Sequence, residues 1–187
     1  MRTLDWLKTV LAPPSACGYT PAADVARRLY EATGQSLPTS YATFLGCYGP
    51  GYIRTVNHDL NFLTVYDPST ILRQNEVFFR ALGAPLPRPG WPQVPWTEPG
   101  GWLIWGYSCD GRQYYWRMDG EPDEWPIVVE DRYSSAREEF DLTLPAFLHA
   151  LLTGDINPRG VSSSLKPGPE TPVWVTLGAT AAPDSAT

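Results

Sequence analysis

A chain of 187 residues with 43% apolar content and a net charge of −6 has the size of one domain, with room for a tail. Folding at this length buries roughly 70% of the unfolded surface, so the core needs no disulfide or metal to hold it. The acidic balance, with only 18% charged residues, argues against general binding of nucleic acid through its phosphates.

Leu4, Leu7, Val10 and Leu11 share one helical face, which predicts a short amphipathic helix ending at Pro13-Pro14. Asp5 and Lys8 interrupt this stretch, so it does not read as the uncharged core of a signal peptide. Thr20-Pro21 is an N-cap residue followed by proline, and it opens a second helix through Val25, Leu29 and Tyr30 that stops at Gly34. Leu37-Pro38 opens a third, through Tyr41, Phe44, Leu45 and Tyr48, which the Gly49-Pro50-Gly51 breaker closes. Asn61 to Tyr66 reads as a strand, and Asp67-Pro68 as the start of a fourth helix through Ile71 and Leu72. Residues 83–99 form a proline-rich loop carrying Trp91 and Trp96. A loop of that length often belongs to a functional surface.

The stretch from Pro99 to Asp131 holds four of the eight tryptophans and organises the chain. Its apolar runs, Trp102 to Tyr107, Gln113 to Met118 and Ile127 to Val129, are bounded by Gly, Pro and Asp, the signature of strands. Asp110-Gly111 and Asp119-Gly120 supply the turns, so an antiparallel meander is expected. Both faces of the first strand are apolar, which places it centrally and covered on both sides. Phe140 and Leu142 suggest a further short extended segment. Thr143 starts a helix through Phe147, Leu148, Leu151 and Leu152 that ends at Gly154. The expected fold is therefore α+β: a single domain with a curved, mainly antiparallel sheet flanked by helices. It spans residues 1–157, followed by a Pro/Ser/Gly-rich extension over 158–187 with one candidate strand at 172–177.

Four blocks of this chain resemble the SUKH superfamily, the Smi/Knr-type domain. They are Leu37 to Gly51, Gly100 to Trp116, Asp123 to Asp131 and Leu142 to Gly154, and with their spacing they cover about residues 20–155. The resemblance implies an α+β fold and, for a bacterial member, an immunity protein that binds and neutralises a cognate polymorphic toxin, often a nuclease. Relatives that act as regulatory scaffolds linked to cell-wall signalling supply the alternative. The family has no established catalytic residues, and its partner contacts vary, so no contact residue carries over. The long Pro/Trp loop and the extended C-terminus depart from the family pattern.

The residues themselves point the same way. His58 and His149 lie far apart in sequence, no nucleophile signature surrounds Cys47 or Cys109, and no ligand spacing suggests a metal. No enzyme activity and no cofactor are expected. Cys17, Cys47 and Cys109 are odd in number, which fits free thiols and a cytoplasmic location. No stretch reaches eighteen apolar residues, so no membrane span is expected. Between Asp119 and Asp141 the chain carries −7, while the remainder sums to +1. This segment reads either as a solvated face or as a surface for a basic protein partner. The expected contacts are Asp123, Glu124, Glu130 and Asp131, with Trp91 and Trp96 either as aromatic anchors or as core.

Overall fold

The computed structural model describes residues 2–15, 18–21, 23–54, 63–81, 94–109, 111–131, 136–158 and 171–177. Its centre is the expected meander. Strands β3 (Trp102–Tyr107), β4 (Arg112–Arg117) and β5 (Ile127–Asp131) pair antiparallel in sequence order. Gly111 turns the first hairpin at φ 87°. Pro126 stands just before β5, and its carbonyl accepts the Arg117 N–H at 3.0 Å, so its missing donor costs the ladder nothing.

Four more strands extend the meander on both sides: β1 (Gly51–Arg54), β2 (Leu63–Val65), β6 (Arg137–Phe140) and β7 (Val173–Thr176). The seven-stranded order is β6-β5-β4-β3-β2-β1-β7, with every neighbouring pair antiparallel. The α+β architecture expected from the sequence is the one observed. Strand β1 is an addition, because Gly49-Pro50-Gly51 reads as a breaker. Its four residues become a strand through pairing on both sides, with β2 and with β7 some 120 residues away. The 172–177 segment is thus an integral edge strand, and the sheet reaches past the boundary drawn at 157. The contact is close: a Cβ on Gly51 would lie 2.8 Å from the Trp174 ring.

One face of the sheet is packed by helices α1 (Arg2–Val10), α3 (Thr39–Tyr48) and α5 (Leu144–Thr153). Leu103, Trp105, Tyr114, Trp116, Ile127 and Val129 project into this main core. Trp105 lies 5.3 Å from Tyr114, 5.7 Å from Trp116 and 6.2 Å from Phe147, ring centre to ring centre. Tyr41 meets Trp116 edge-on at 5.1 Å, and Phe44 meets Trp174 edge-on at 5.3 Å. Such tilted and edge-on contacts suit the ring quadrupole and add to the area term. The Trp174 indole N–H donates to the Tyr48 carbonyl at 2.7 Å, and the Tyr48 hydroxyl to the Leu11 carbonyl at 2.6 Å. Helix α3 is therefore tied both to the C-terminal strand and to the end of α1.

The opposite face buries a smaller cluster of Trp102, Ile104, Tyr115 and Val128, so β3 is covered on both sides as its pattern predicts. Helix α2 (Ala23–Thr33) begins within two residues of the Thr20-Pro21 signal and packs on α4 (Pro68–Ala81), which in turn packs on β3; Leu29 of α2 and Ile71 and Leu72 of α4 belong to the main core. Asp67 caps α4 as expected, its Oδ1 accepting the Thr70 N–H at 2.6 Å. Thr143 holds the cap position of α5 with extended backbone angles, but its hydroxyl makes no capping bond.

Strand β2 stops at Val65, which leaves the β3 backbone at Ile104 without a strand partner on that side. Asn75 of α4 takes its place. Its Oδ1 accepts the Ile104 N–H at 3.1 Å, and its Nδ2 donates to the Ile104 carbonyl at 3.2 Å. The side-chain amide pairs with both groups of one residue, as a strand backbone would.

Candidate functional site

Register and one irregularity build the polar part of the sheet. The β3–β4 ladder shifts between Ile104 and Gly106, a β-bulge. Strict alternation from Ile104, which faces the smaller cluster, would send Tyr107 to the helix-packed face. The extra residue instead sets Tyr107 opposite Gln113 and Thr64, re-aiming it to the second face. Glycine suits the bulge because a Cβ at position 106 would lie 2.5 Å from the Thr64 carbonyl oxygen.

The result is a polar row across six strands. Tyr52, Thr64, Tyr107, Gln113, Glu130 and Arg137 stand opposite one another from β1 to β6. Directly paired residues share a face, so these side chains line up on the side away from α1, α3 and α5. At the β5–β6 end the row is closed by its own bonds. Arg137 donates to Glu130 Oε1 from Nη2 at 2.8 Å and from Nε at 3.1 Å, and its guanidinium lies 5.1 Å from the Trp102 ring centre. The Tyr115 hydroxyl donates to Gln113 Oε1 at 2.5 Å.

At the β2–β3 end the row opens into a cleft of about 660 Å³. Its walls are Thr70, Arg73 and Gln74 of α4, the Tyr66 and Tyr107 rings, and Ser108, Gly111 and Arg112 between β3 and β4. The two rings stand 5.7 Å apart, tilted by 34°. Burial pushes the Tyr66 phenol up to about 12, Tyr107 adds to the rise, and the Arg73 guanidinium opposes it. Tyr66 is thus a neutral O–H donor across the physiological range. Thr64, 4% exposed, has a hydroxyl with no hydrogen-bond partner among the described residues.

The acidic residues expected to meet a partner do not form one patch. Glu130 is buried on Arg137, with 5% of its side chain exposed, so its charge is spent inside the fold. Asp131 ends β5, half-buried, and its N–H donates to the Ala136 carbonyl at 3.0 Å. Asp123 and Glu124 are exposed in a 3-10 turn (Pro122–Glu124) before β5. The Asp123 Oδ1 accepts the Ser40 N–H at 3.1 Å and so caps α3 from outside that helix. Partial burial pushes this carboxyl up, but hydrogen bonds from Ser40 and Thr39 outweigh it and hold the group below the usual range.

Trp96 is 8% exposed and belongs to the main core, which decides between its two readings. Turns at 95–101 tie back onto the sheet, with Gly100 donating to the Met118 carbonyl at 2.6 Å and Met118 to the Gly101 carbonyl at 2.9 Å. That knot carries Trp96 inward. Trp91, His58 and Cys17 lie outside the described residues. His149 is half-buried on α5, 6.5 Å from the Trp6 ring. Cys47 and Cys109 are free thiols, and the described residues contain no group of ligands that could hold a metal.

What remains acidic and exposed gathers at one end of the sheet. Asp119, Glu121, Asp123 and Glu124 occupy the β4–β5 connection, and Glu139 and Asp141 the end of β6 beside it. Arg117 reaches Glu139 at 2.5 Å and Asp119 at 3.9 Å. The cleft lies at the other end, where β3 ends and β4 begins. Comparison of the chain with protein-family models, curated proteins and solved structures yields no match. No described helix is long and apolar enough to cross a membrane.

Sequence reasoning missed the cleft. Thr64, Arg73, Tyr107 and Gln113 come from four elements, and none belongs to a local motif. The available signal was Gly106, a glycine inside a strand, which marks a bulge or a close backbone approach.

Proposed function

We propose that this protein is a non-enzymatic binding protein of the immunity type, a SUKH-like domain that occludes a cognate protein toxin in the cytoplasm. The observation that carries the reading is the acidic sheet end, where six exposed carboxylates stand near a single guanidinium among the described residues, Arg117. A toxin that acts on nucleic acid must hold a polyanion in its active site. A carboxylate-rich surface competes for that site and steers the encounter. The contacts are Asp123 and Glu124, with their neighbours Glu121 and Glu139. Glu130 and Trp96 serve the fold that presents them. The four sequence blocks agree with this assignment: one supplies α3, one the β3–β4 hairpin, one β5 and one α5, and together they form most of the main core. An interface of about 1,600 Å² would suffice.

The test is co-expression with the product of the neighbouring gene. Growth should fail without this protein and recover with it, and a Glu121→Lys, Glu124→Lys, Glu139→Lys variant should lose the rescue. A neighbouring product that is harmless, or equally harmful in both cases, removes the proposal.

A further inference from the structure

The cleft between α4 and the second face of the sheet has a chemistry opposite to the acidic end. Its lining is rich in donors. Arg73 presents an exposed guanidinium with no ion-pair partner among the described residues, and a second guanidinium, Arg112, lines the same space. The Tyr66 and Tyr107 hydroxyls and the Gln74 amide can each donate an N–H or O–H. Among the described residues the one carboxylate in the lining is Asp67, which is engaged by the Thr70 N–H at 2.6 Å and the Ser69 hydroxyl at 2.8 Å. The Thr64 hydroxyl, which also lines the cleft, is buried with no partner among the described residues. Buried hydroxyls are nearly always hydrogen-bonded, so an unpaired one beneath an open cleft marks a missing acceptor. The volume, about 660 Å³, lies within the range of small-ligand sites.

We propose that this cleft binds a small oxyanion, a carboxylate or phosphate group, held by Arg73 at the rim and by the Thr64 and Tyr66 hydroxyls within. The ligand must be acceptor-rich because the site offers donors. It must be anionic because the free charge at the rim is a guanidinium, which pairs with both carboxylates and phosphates in a planar fork. The bulge at Gly106 gives the site a reason to exist, since it brings Tyr107 to this face. The proposal does not depend on the toxin-binding reading, whose surface lies at the other end of the sheet.

The experiment is an amide and guanidinium NMR titration of the full chain. The probes are inorganic phosphate in one arm and malonate in the other, each against sodium chloride at equal ionic strength. Expected are saturable shifts at Thr64, Arg73 and Tyr107, with half-saturation near or below about 1 mM for at least one probe. Arg73→Ala should weaken that binding about tenfold or more, and Thr64→Val, which keeps the side-chain shape, about threefold or more. Saturation by phosphate alone assigns a phosphoryl ligand, by malonate alone a carboxylate, and by both the shared oxyanion chemistry. Shifts matched by chloride, shifts away from the cleft, or binding undiminished in Arg73→Ala would each overturn it. Arg73 is exposed, so its variant retains the fold, and the Trp105 and Trp116 core signals provide the check.

Discussion

Asn75→Leu tests whether a helix side chain completes the sheet. Asn75 is fully buried and makes three hydrogen bonds: one to Ile71 within its own helix at 2.8 Å, and two to the Ile104 backbone at 3.1 and 3.2 Å. Leucine has similar volume, so the change leaves little space for water to replace the amide. The Ile104 N–H and carbonyl are then orphaned in the core, at about 1–3 kcal/mol each. Extra apolar burial by leucine offsets about 1 kcal/mol, which leaves a net loss of roughly 1–5 kcal/mol. Against a typical total of about 5–15 kcal/mol that is a large fraction. For a chain of this length it corresponds to a fall in Tm of about 2–20 °C. Guanidinium unfolding followed by tryptophan fluorescence measures the loss. Hydrogen exchange at the Ile104 amide locates it, since that amide should lose protection before its neighbours on β3 and β4. A variant within about 0.5 kcal/mol of the parent, or an Ile104 amide still protected, would refute the strand-replacement argument.

Three further outcomes are expected. Gly106→Ala should cost about 1–3 kcal/mol in denaturant unfolding, because its Cβ meets the Thr64 carbonyl, and should shift the Tyr107 and Thr64 resonances together. Trp96→Ala should destabilise by about 3–5 kcal/mol yet leave binding of the proposed partner unchanged at a temperature where the variant is folded. Asp123→Asn should weaken α3 at neutral pH by a few tenths of a kcal/mol to about 1, the lower part of the capping range because the carboxylate is exposed and screened. Its folded-state pKa is depressed, so the charged group stabilises the fold above its unfolded pKa and that contribution vanishes as pH falls through the folded value. The parent and the Asn variant should therefore converge in stability under acid.

The fold was largely legible because its strongest signals are local. The Trp102 to Val129 runs alternate with glycine and proline punctuation, and the Asp67-Pro68 and Gly154 signals fix helix ends within a few residues. Strand β1 was not legible: Tyr52 and Ile53 are held as a strand by β2 on one side and by β7, from the far end of the chain, on the other. The site was legible as composition and not as geometry. Nine acids between Asp119 and Asp141 are visible in the sequence, but the bidentate bond that removes Glu130 from the surface needs β5 and β6 side by side. For Trp96, proline-rich surroundings leave anchor and core equally open, and the turns that settle it as core depend on a ladder to Met118. Tyr107 depends on a single extra residue in a ladder, which no residue type announces except Gly106.

The location of Glu130 also bears on how the surface charge is divided. Had its carboxylate been free, it would stand in the same cross-strand row as Tyr107 and Gln113 and would lend negative potential to the cleft. Arg137 neutralises it at 2.8 Å, and Trp102 covers the guanidinium from the other side. Breaking a buried pair by removing one partner costs about 3–5 kcal/mol, so this arrangement is held firmly. Among the described residues, with Glu130 internally paired and Asp67 committed to its helix cap, Arg73 sets the sign at the cleft, whereas Arg117 cannot balance the carboxylates around it at the opposite end. A domain with a net charge of −6 thereby keeps one end strongly acidic and a donor-lined cleft at the other. On the two proposals made above, the ends take ligands of opposite charge, and a basic protein bound at the first would leave the second open.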